Sequence, residues 1–485
     1  MSLVDLNDTI VAQATPVGEG AIGIIRLSGP RSKEILSQIF RGKKNPDEFE
    51  SHRLYLGQIV LPETAQAINN QPHSGGEGAL PAPVIDQVMG VWMKRPNSFT
   101  GEEMVEIHGH GGPVVLKEIV ALALGLGARL AEPGEFSRRA FLNGKIDLSQ
   151  AEAIADLISA KSEWGAKNAL SQLNGTLSRT IRQLKEKIVD FMAVVEAGFD
   201  FAEEDVQTFK KEDGLRLFEG IKEEIGRLLD SFQTGQIYKE GLRVAIIGKP
   251  NVGKSSLLNV LLNEERAIVH EQPGTTRDIV EGERMIQGIR AIFSDTAGIR
   301  EAENSVEEEG IRRSNEILKK ADLVLLLLDS SQKLTAEDQK LLPLCDARRC
   351  IIIYSKADLP PAWDAVPDQL FNSSPQGGVM PFVKLSARER TGISDLLDKI
   401  YALCLHQNLV KDHNYVLNNV RHQQVFEKIQ SQLEEVIVNL RDNGLNEECL
   451  AEELRIMSKE LASITGEITN ESVLDEIFSR FCIGK

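Results

Sequence analysis

The sequence has few cysteines, few aromatic residues and no long apolar run, and each shortage argues against a class of protein. The five cysteines form no C-x-x-C pair, which argues against a disulfide framework and favours a reducing compartment. Aromatic residues make up 5%, so the cores must consist mainly of aliphatic side chains. No stretch approaches about 18 uncharged apolar residues, and the N-terminus lacks a signal-peptide pattern. We therefore expect a cytoplasmic protein that does not enter a membrane.

The chain also lacks an excess of positive charge. Its 72 acidic residues outnumber 55 Lys and Arg residues, which gives a formal net charge of −17. An acidic surface repels phosphate, and this argues against a protein that coats nucleic acid by itself. A local basic patch, or a basic partner that holds the RNA, stays compatible with this balance.

With 485 residues the chain is long for one domain, and the usual domain size suggests about three. Residues 1–142 combine strand patterns at 22–29 and 88–93 with a helical pattern at 113–127. Residues 69–83 are rich in Gly and Pro, which predicts a surface loop. We therefore predict a mixed α/β domain at the N-terminus.

Two helical segments flank a central α/β segment, and in both of them apolar residues recur at steps of three and four. The stripes are Leu177, Ile181, Leu184, Ile188, Phe191 and Val195 in the first segment, and Val425, Ile429, Leu433, Val436, Leu440, Leu450, Leu454, Leu461 and Ile464 in the second. We predict that residues 143–242 and 405–485 pack together as one discontinuous helical domain, with residues 243–404 inserted. The alternative is two independent helical regions. The expected fold class is thus multidomain, α+β and α/β.

The inserted segment begins with a phosphate-binding pattern. Gly248 to Ser255 matches G-x-x-x-x-G-K-[ST], directly after the apolar strand 244–247 and before a helix. The backbone N–H groups of such a loop wrap a phosphate, helped by the N-terminus of the helix. Lys254 is the expected catalytic cation on the β- and γ-phosphates, and Ser255 is an expected Mg²⁺ ligand. The alternative is a Gly-rich turn without a ligand.

Further polar segments follow strand patterns in the order of a Ras-like GTPase. Thr276, in the loop 274–278, is the candidate second protein ligand of Mg²⁺. Asp295 is placed to hold a water on the metal, and the Gly298 amide to contact the γ-phosphate. The strands at 291–295, 321–329 and 350–356, alternating with helices, predict a parallel sheet.

The base is expected to be guanine. The carboxylate of Asp358 matches the two donors at guanine N1 and N2, which adenine lacks, and the segment 386–388 supplies a backbone contact to the base edge. Ser355 stands where GTPases of this type usually have Asn, and a hydroxyl makes fewer bonds than an amide, so we expect weaker guanine recognition. The residues expected at GTP or GDP are Asn251, Val252, Gly253, Lys254, Ser255, Ser256, His270, Glu271, Gln272, Pro273, Gly274, Thr275, Thr276, Asp295, Thr296, Ala297, Gly298, Ser355, Lys356, Ala357, Asp358, Ser386, Ala387 and Arg388.

Over nearly its whole length the chain resembles the MnmE (TrmE) family, which takes part in modifying the wobble uridine of certain tRNAs. The resemblance rests on DTIVAQATP (8–16), PNSFTGEE (96–103), HGHGGP (108–113), PGEFSRRAFLNGKIDLSQAEAIADLI (133–158), GKPNVGKSS, GTTRD, DTAGIRE and the terminal FCIGK. It implies an N-terminal domain that binds a reduced folate such as 5-formyltetrahydrofolate, a helical domain and an inserted GTPase domain. It also implies a homodimer, and a heterotetramer with MnmG, which would use FAD and NADH.

The resemblance further implies GTP hydrolysis activated by K⁺ instead of an arginine finger. Asn251 matches the potassium-ligating Asn of the family, with His270, Gln272 and Thr275 completing the cage through backbone oxygens. The alternative for Asn251 is a turn residue. Glu307 maps to the residue that orients the attacking water, and its alternative is a solvated charge beside two further glutamates.

The family's folate positions map to Arg26, Glu106, Lys145 and Lys485, whereas a surface ion pair is the alternative for the first two. Cys482 lies in the C-x-G-K ending and is either a catalytic nucleophile or a small apolar residue that docks the tail. The motif HGHGG resembles a turn and does not predict a metal site. A rival function is a GTP-controlled conformational switch without direct uridine chemistry, and folate binding would distinguish the two.

Overall fold

The structure is a computed structural model that describes residues 7–62, 83–200, 210–262, 267–268, 281–295, 317–345, 349–362, 380–404, 415–442 and 447–484. The chain divides into two compact units, one of Met1–Ala155 with Ala462–Lys485 and one of Asp156–Leu461. The last residues thus join the N-terminal unit, whereas the sequence-based division assigned 405–485 as a whole to the helical domain. The four predicted domain ranges themselves stay a prediction. No described helix is long and apolar enough to cross a membrane.

The first unit is built on a seven-stranded sheet. Its strands are β1 (Ile10–Gln13), β2 (Gly20–Ser28), β3 (Phe40–Gly42), β4 (Leu54–Val60), β5 (Val84–Met93), β6 (Met104–Gly111) and β7 (Arg129–Leu130). They lie in the order β3-β4-β5-β6-β2-β1-β7, and every pairing is antiparallel except the parallel one of β1 with β7. The patterns predicted at 22–29 and 88–93 fall on β2 and β5.

Two helices cover one face of this sheet, and on the opposite face Ile10 and Ala12 of β1 are buried in a cluster with Phe136. Helices α1 (Ser32–Ile39) and α2 (Pro113–Gly125) pack on the covered face, where Val105 and Ile107 of β6 are buried. Because side chains alternate along a strand, Glu106 and its neighbours at every second position point to the opposite face. This second face carries the polar residues of the candidate N-terminal site.

Helices follow the sheet. They are α3 (Glu135–Leu142), α4 (Leu148–Ser159), α5 (Glu163–Leu173), α6 (Thr176–Asp200), α7 (Lys211–Asp230) and α8 (Phe232–Glu240). The predicted stripe lies on α6, where five of its six members are buried and Phe191 is half-buried. The sequence pattern therefore identified the packed face of this helix correctly.

The second sheet also has seven strands, which lie in the order β14-β13-β12-β8-β11-β10-β9. They are β8 (Leu242–Ile247), β9 (Ala267–Ile268), β10 (Glu281–Ile286), β11 (Ile289–Asp295), β12 (Leu323–Asp329), β13 (Cys350–Ser355) and β14 (Phe382–Lys384). Five strands, β8, β11, β12, β13 and β14, run parallel, and β10 pairs antiparallel with β11. Both faces are covered, since successive residues of β12 enter two different buried clusters.

Among the described residues, α9 (Lys254–Leu262), α10 (Ala336–Leu341) and α11 (Ile393–Cys404) accompany this sheet. Two long helices follow, α12 (Val420–Arg441) and α13 (Glu447–Thr465), and α12 packs against α7. The second predicted stripe is buried on these two helices, except for the half-buried Val425. Helix α14 (Glu471–Ser479) and the residues after it belong to the first unit.

Trp164 of α5 contacts the turn that joins β10 to β11, at the opposite end of β11 from Asp295. The Trp164 indole nitrogen donates to the carbonyl oxygen of Gln287, 3.1 Å away, in the turn between the two strands. Its ring stacks on Tyr238, with centroids 5.6 Å apart, and a Cβ at Gly288 would lie 3.1 Å from the ring. The turn is therefore seated against the helical part of the second unit.

Candidate functional site

The phosphate-binding loop connects β8 to α9, as the sequence pattern predicts. Gly248 has a φ of +155°, and a Cβ there would lie 2.8 Å from the carbonyl oxygen of Leu327 in β12. Asn251 also has a positive φ, 59°, and so does Gly253, at 107°. Such left-handed residues turn successive N–H groups towards the inside of a loop, where they form a cradle for an anion.

The two expected phosphate and metal side chains sit at the start of α9. Lys254 is buried, and its ammonium donates to the carbonyl oxygens of Gly248 at 2.8 Å and Lys249 at 2.9 Å. The Ser255 hydroxyl donates to Asp295 Oδ2 at 3.0 Å, so the serine of the P-loop meets the carboxylate at the end of β11. A hydroxyl and a carboxylate oxygen side by side fit the oxygen-rich coordination of Mg²⁺.

The residues expected to recognise the base also come together. Asp358 Oδ1 accepts a hydrogen bond of 2.6 Å from the Ser386 hydroxyl, which lowers the pKa of the half-buried Asp358 carboxyl. Ser355 is buried, and its hydroxyl lies 2.8 Å from the carbonyl oxygen of Val252 in the phosphate loop and 3.2 Å from that of Leu328. Although a serine is shorter than an asparagine, it still connects the base loop to the phosphate loop.

Several predicted site residues lie outside the described residues. They are His270, Glu271, Gln272, Pro273, Gly274, Thr275, Thr276, Thr296, Ala297, Gly298, Glu307 and Lys485. The second Mg²⁺ ligand, most of the predicted K⁺ cage and the residue expected to orient water are among them. Their roles stay predictions.

In the first unit, Arg26 and Glu106 face each other across β2 and β6. Glu106 Oε1 accepts from Arg26 Nε at 2.9 Å, and its Oε2 lies 3.1 Å from His108 Nε2. Burial raises the pKa of Glu106, but the bond from His108 and the charge of Arg26 outweigh it, so the pKa is lowered overall. The rings of Phe99 and Phe136 lie 5.8 and 5.7 Å from the guanidinium. The pair is half-enclosed and flanked by aromatic rings, unlike an open surface ion pair.

The C-terminal residues reach the same place. Arg26 Nη1 donates to the carbonyl oxygen of Gly484 at 3.2 Å, and the Cys482 carbonyl accepts a long bond of 3.5 Å from the Gly134 amide. The Cys482 side chain is exposed. Lys145 donates to the Pro96 carbonyl oxygen at 3.1 Å, in the segment that carries Phe99. The structure thus gathers Arg26, Glu106 and the tail, while Lys145 lies beside the adjoining segment.

Sequence reasoning missed the buried ionic cluster beside this site. The Arg139 side chain is completely buried and bonds the carboxylates of Asp8, Glu102 and Glu135. The Ser28 hydroxyl donates to Glu102 at 2.7 Å. The charged residues of PGEFSRRAF were a signal, but the sequence could not say which of its two arginines points inward.

A parallel sheet in this strand order defines the class of protein. The central strand β8 leads into the phosphate loop, β11 ends at the carboxylate beside Ser255, and β13 ends at Ser355, where the loop expected to recognise the base begins. This arrangement is that of a Ras-like P-loop GTPase.

Comparisons with known proteins identify the family. The model of the MnmE helical domain matches residues 148–482, and that of the GTP-binding protein TrmE N-terminus matches residues 9–145. The tRNA modification GTPase MnmE of Alkaliphilus oremlandii is 40% identical over 484 residues, which cover 99% of this chain and 100% of the relative. Those of Thermoanaerobacter pseudethanolicus and Geobacter sulfurreducens are 40% and 41% identical, over 99% of this chain and 99% and 100% of the relatives. The chain belongs to the MnmE family and is a GTP hydrolase.

Proposed function

We propose that this protein is a potassium-activated GTPase that modifies C5 of the wobble uridine in certain tRNAs. Together with an FAD-dependent MnmG partner, it would attach an aminomethyl or carboxymethylaminomethyl group, with a reduced folate as the one-carbon source. The observation that carries the proposal is the Arg26–Glu106 pair, to which the C-terminal tail is hydrogen-bonded. The same chain also contains a P-loop between β8 and α9. The relatives' name, tRNA modification GTPase, supports tRNA as the substrate.

In the nucleotide site, the proposal assigns roles to five of the described residues. Lys254 would neutralise phosphate charge, Ser255 and Asp295 would hold Mg²⁺ directly and through a water, and Asp358 would read guanine. Magnesium supplies charge neutralisation between the phosphates when bound. Asn251 is exposed at a turn with positive φ, which leaves its amide oxygen accessible as a hard ligand for K⁺. The remaining roles are proposed as the sequence predicts them. The second Mg²⁺ ligand is Thr276, the K⁺ cage is completed by backbone oxygens of His270, Gln272 and Thr275, and the attacking water is oriented by Glu307.

In the first unit, the Glu106 carboxylate is ionised and would accept hydrogen bonds from the N–H groups of a pterin ring, while Phe99 and Phe136 offer flat apolar contact. Lys145 and Lys485 are proposed to pair with the acidic tail of the folate. The folate supplies the carbon unit when bound. This donor set fits such a ligand, because it pairs one acceptor carboxylate with aromatic rings and cations.

Cys482 is proposed as a nucleophile towards the uracil ring, and docking of the tail is its alternative role. The exposed side chain and the nearby Arg26–Glu106 pair support the first role. Cys482→Ser that retains full tRNA modification would remove the nucleophile role and leave the docking role.

We also propose that the protein forms a homodimer through the first unit. On the face opposite helices α1 and α2, Leu54, Leu56 and Met89 are exposed next to one another, since Leu56 pairs with Met89 across β4 and β5. An apolar patch of this kind is typical of a protein interface. Leu56→Glu should shift the mass measured by light scattering from dimer to monomer. Leu124→Glu is the control, because Leu124 is also exposed but lies on helix α2, which packs on the opposite face of the sheet.

The decisive experiment measures GTP hydrolysis in K⁺ and in Na⁺, with and without the MnmG partner. We expect K⁺ to accelerate hydrolysis and Asn251→Ala to abolish the acceleration while GDP binding persists. Equal rates in both salts would contradict the mechanism. Separate titration with 5-formyltetrahydrofolate tests the first unit, and no binding there would favour a pure conformational switch.

A further inference from the structure

Two lysines of the nucleotide loops are held by carboxylates that belong to none of the nucleotide motifs. Both carboxylates belong to the segment 329–338, here called the β12–α10 connection, in which Asp329 is the last residue of β12 and Asp338 lies in the first turn of α10. Asp338 Oδ2 is 3.1 Å from the ammonium of Lys249, in the phosphate loop. Asp329 Oδ2 is 2.7 Å from the ammonium of Lys356, in the base loop. One short connection therefore reaches both halves of the site.

The Lys249–Asp338 pair is sheltered from water, and the Lys356–Asp329 pair is partly sheltered. The side chains of both carboxylates are 2% exposed, whereas that of Lys249 is 11% exposed and that of Lys356 is 33% exposed. Charges interact more strongly in sheltered surroundings than on an open surface. The first pair therefore holds its lysine more firmly than an exposed ion pair would, and the second does so to a smaller degree.

Lys249, which Asp338 contacts, also contacts Lys254, the expected catalytic cation. Lys249 is held by its side chain, and its backbone carbonyl oxygen accepts from the Lys254 ammonium at 2.9 Å. Asp338 itself is held, because its Oδ2 also accepts from the amide and the hydroxyl of Thr335, at 2.9 and 2.8 Å. A carboxylate fixed at the start of α10 is thus connected, through Lys249, to the Lys254 ammonium.

We infer that the β12–α10 connection is a positioning element of the nucleotide site, in which Asp338 sets the phosphate loop through Lys249 and Asp329 sets the base loop through Lys356. The inference rests on the proposed GTP site. Neither carboxylate is a ligand of the nucleotide in this scheme. Their contribution is preorganisation, since a loop that is already held loses less freedom when the nucleotide binds.

The test measures the affinity of the full-length chain for a fluorescent GDP analogue. Lys249→Met and Asp338→Asn should each weaken binding by about tenfold, the order expected when a sheltered charged hydrogen bond is lost. The double variant should be little weaker than the worse single variant, because both changes remove the same interaction. Lys249→Arg, which keeps the charge, should restore most of the affinity.

A control separates positioning from simple folding. Glu337→Gln changes an exposed neighbour of Asp338 on α10. It should bind the GDP analogue like the unchanged chain. The inference is overturned if Lys249→Met binds normally, if the two losses add fully, or if Glu337→Gln reproduces the loss. Failure of the unchanged chain to bind GDP would instead contradict the proposed function.

Discussion

The guanidinium of Arg26 donates a hydrogen bond to the carbonyl oxygen of Gly484, 3.2 Å away, although 458 positions separate the two residues. Gly484 has a φ of +95°, and a Cβ at this position would lie 2.2 Å from the carbonyl oxygen of Gln13. Only glycine combines this conformation with such a close approach. The docking of the tail on the candidate folate pair therefore depends on one residue without a side chain.

Gly484→Ala should displace the tail from Arg26. We expect tRNA modification to fall by up to about a hundredfold, because small displacements of reacting groups have effects of this order. GTP hydrolysis should persist, since the nucleotide site lies in the other unit. The modified nucleoside content and phosphate release report the two activities. Ile483→Ala is the matched control, because that side chain is 54% exposed, and equal activity of the two variants would contradict the expectation.

Arg139→Met should destabilise the first unit. The change leaves Glu135, which is 2% exposed, without its bond of 2.9 Å from this guanidinium, and loss of one partner of a buried pair costs about 3–5 kcal/mol. Urea unfolding at neutral pH measures the free energy. Arg129→Met is the control, because Arg129 bonds the same carboxylate but is 42% exposed, and we expect a smaller loss. Equal losses would show that Arg139 has no special role.

Glu106 should make the free energy of unfolding of the first unit depend on pH in the acid range. Its pKa in the folded state is lower than the ordinary 4.5, mainly through His108 and Arg26 acting against burial. The stabilisation is therefore complete above pH 4.5 and is lost as the pH falls towards the folded pKa. The difference in free energy of unfolding between the unchanged chain and Glu106→Gln should shrink over that window. A constant difference would contradict the lowered pKa.

Ser355 should support nucleotide binding through the phosphate loop. Ser355→Ala removes the hydrogen-bond donor opposite the Val252 carbonyl, and we expect a loss of about 1 kcal/mol, or roughly fivefold in GDP affinity. Ser355→Asn should raise the affinity above that of the unchanged chain, because the amide offers additional donors. Calorimetric titration with GDP measures both, and an unchanged affinity in the Asn variant would remove the predicted weakness of the serine.

The sequence predicts the second sheet well because its motifs stand at strand ends. The nearly unbroken apolar runs of β8, β12 and β13 are typical of strands buried on both faces, and the stripes on α6, α12 and α13 recur at helical spacing. Long-range partners were not predictable. Nothing near Lys249 indicates a carboxylate at Asp338, 89 positions later, although the capping pattern T-x-x-D is visible in the sequence. The same holds for Gly484 at Arg26, since spacing along the chain carries no information about such contacts.

The packing of the β10–β11 turn against Trp164 makes this tryptophan sensitive to the position of β11. Strand β11 begins beside this indole and ends at Asp295, next to Ser255 of the phosphate loop. Any shift of the strand along its axis would alter the hydrogen bond and the stacking of the ring, both of which change indole emission. The chain therefore contains an intrinsic fluorophore at one end of a strand whose other end lies at the expected metal position, and a shift of that strand on nucleotide exchange would change the emission of Trp164.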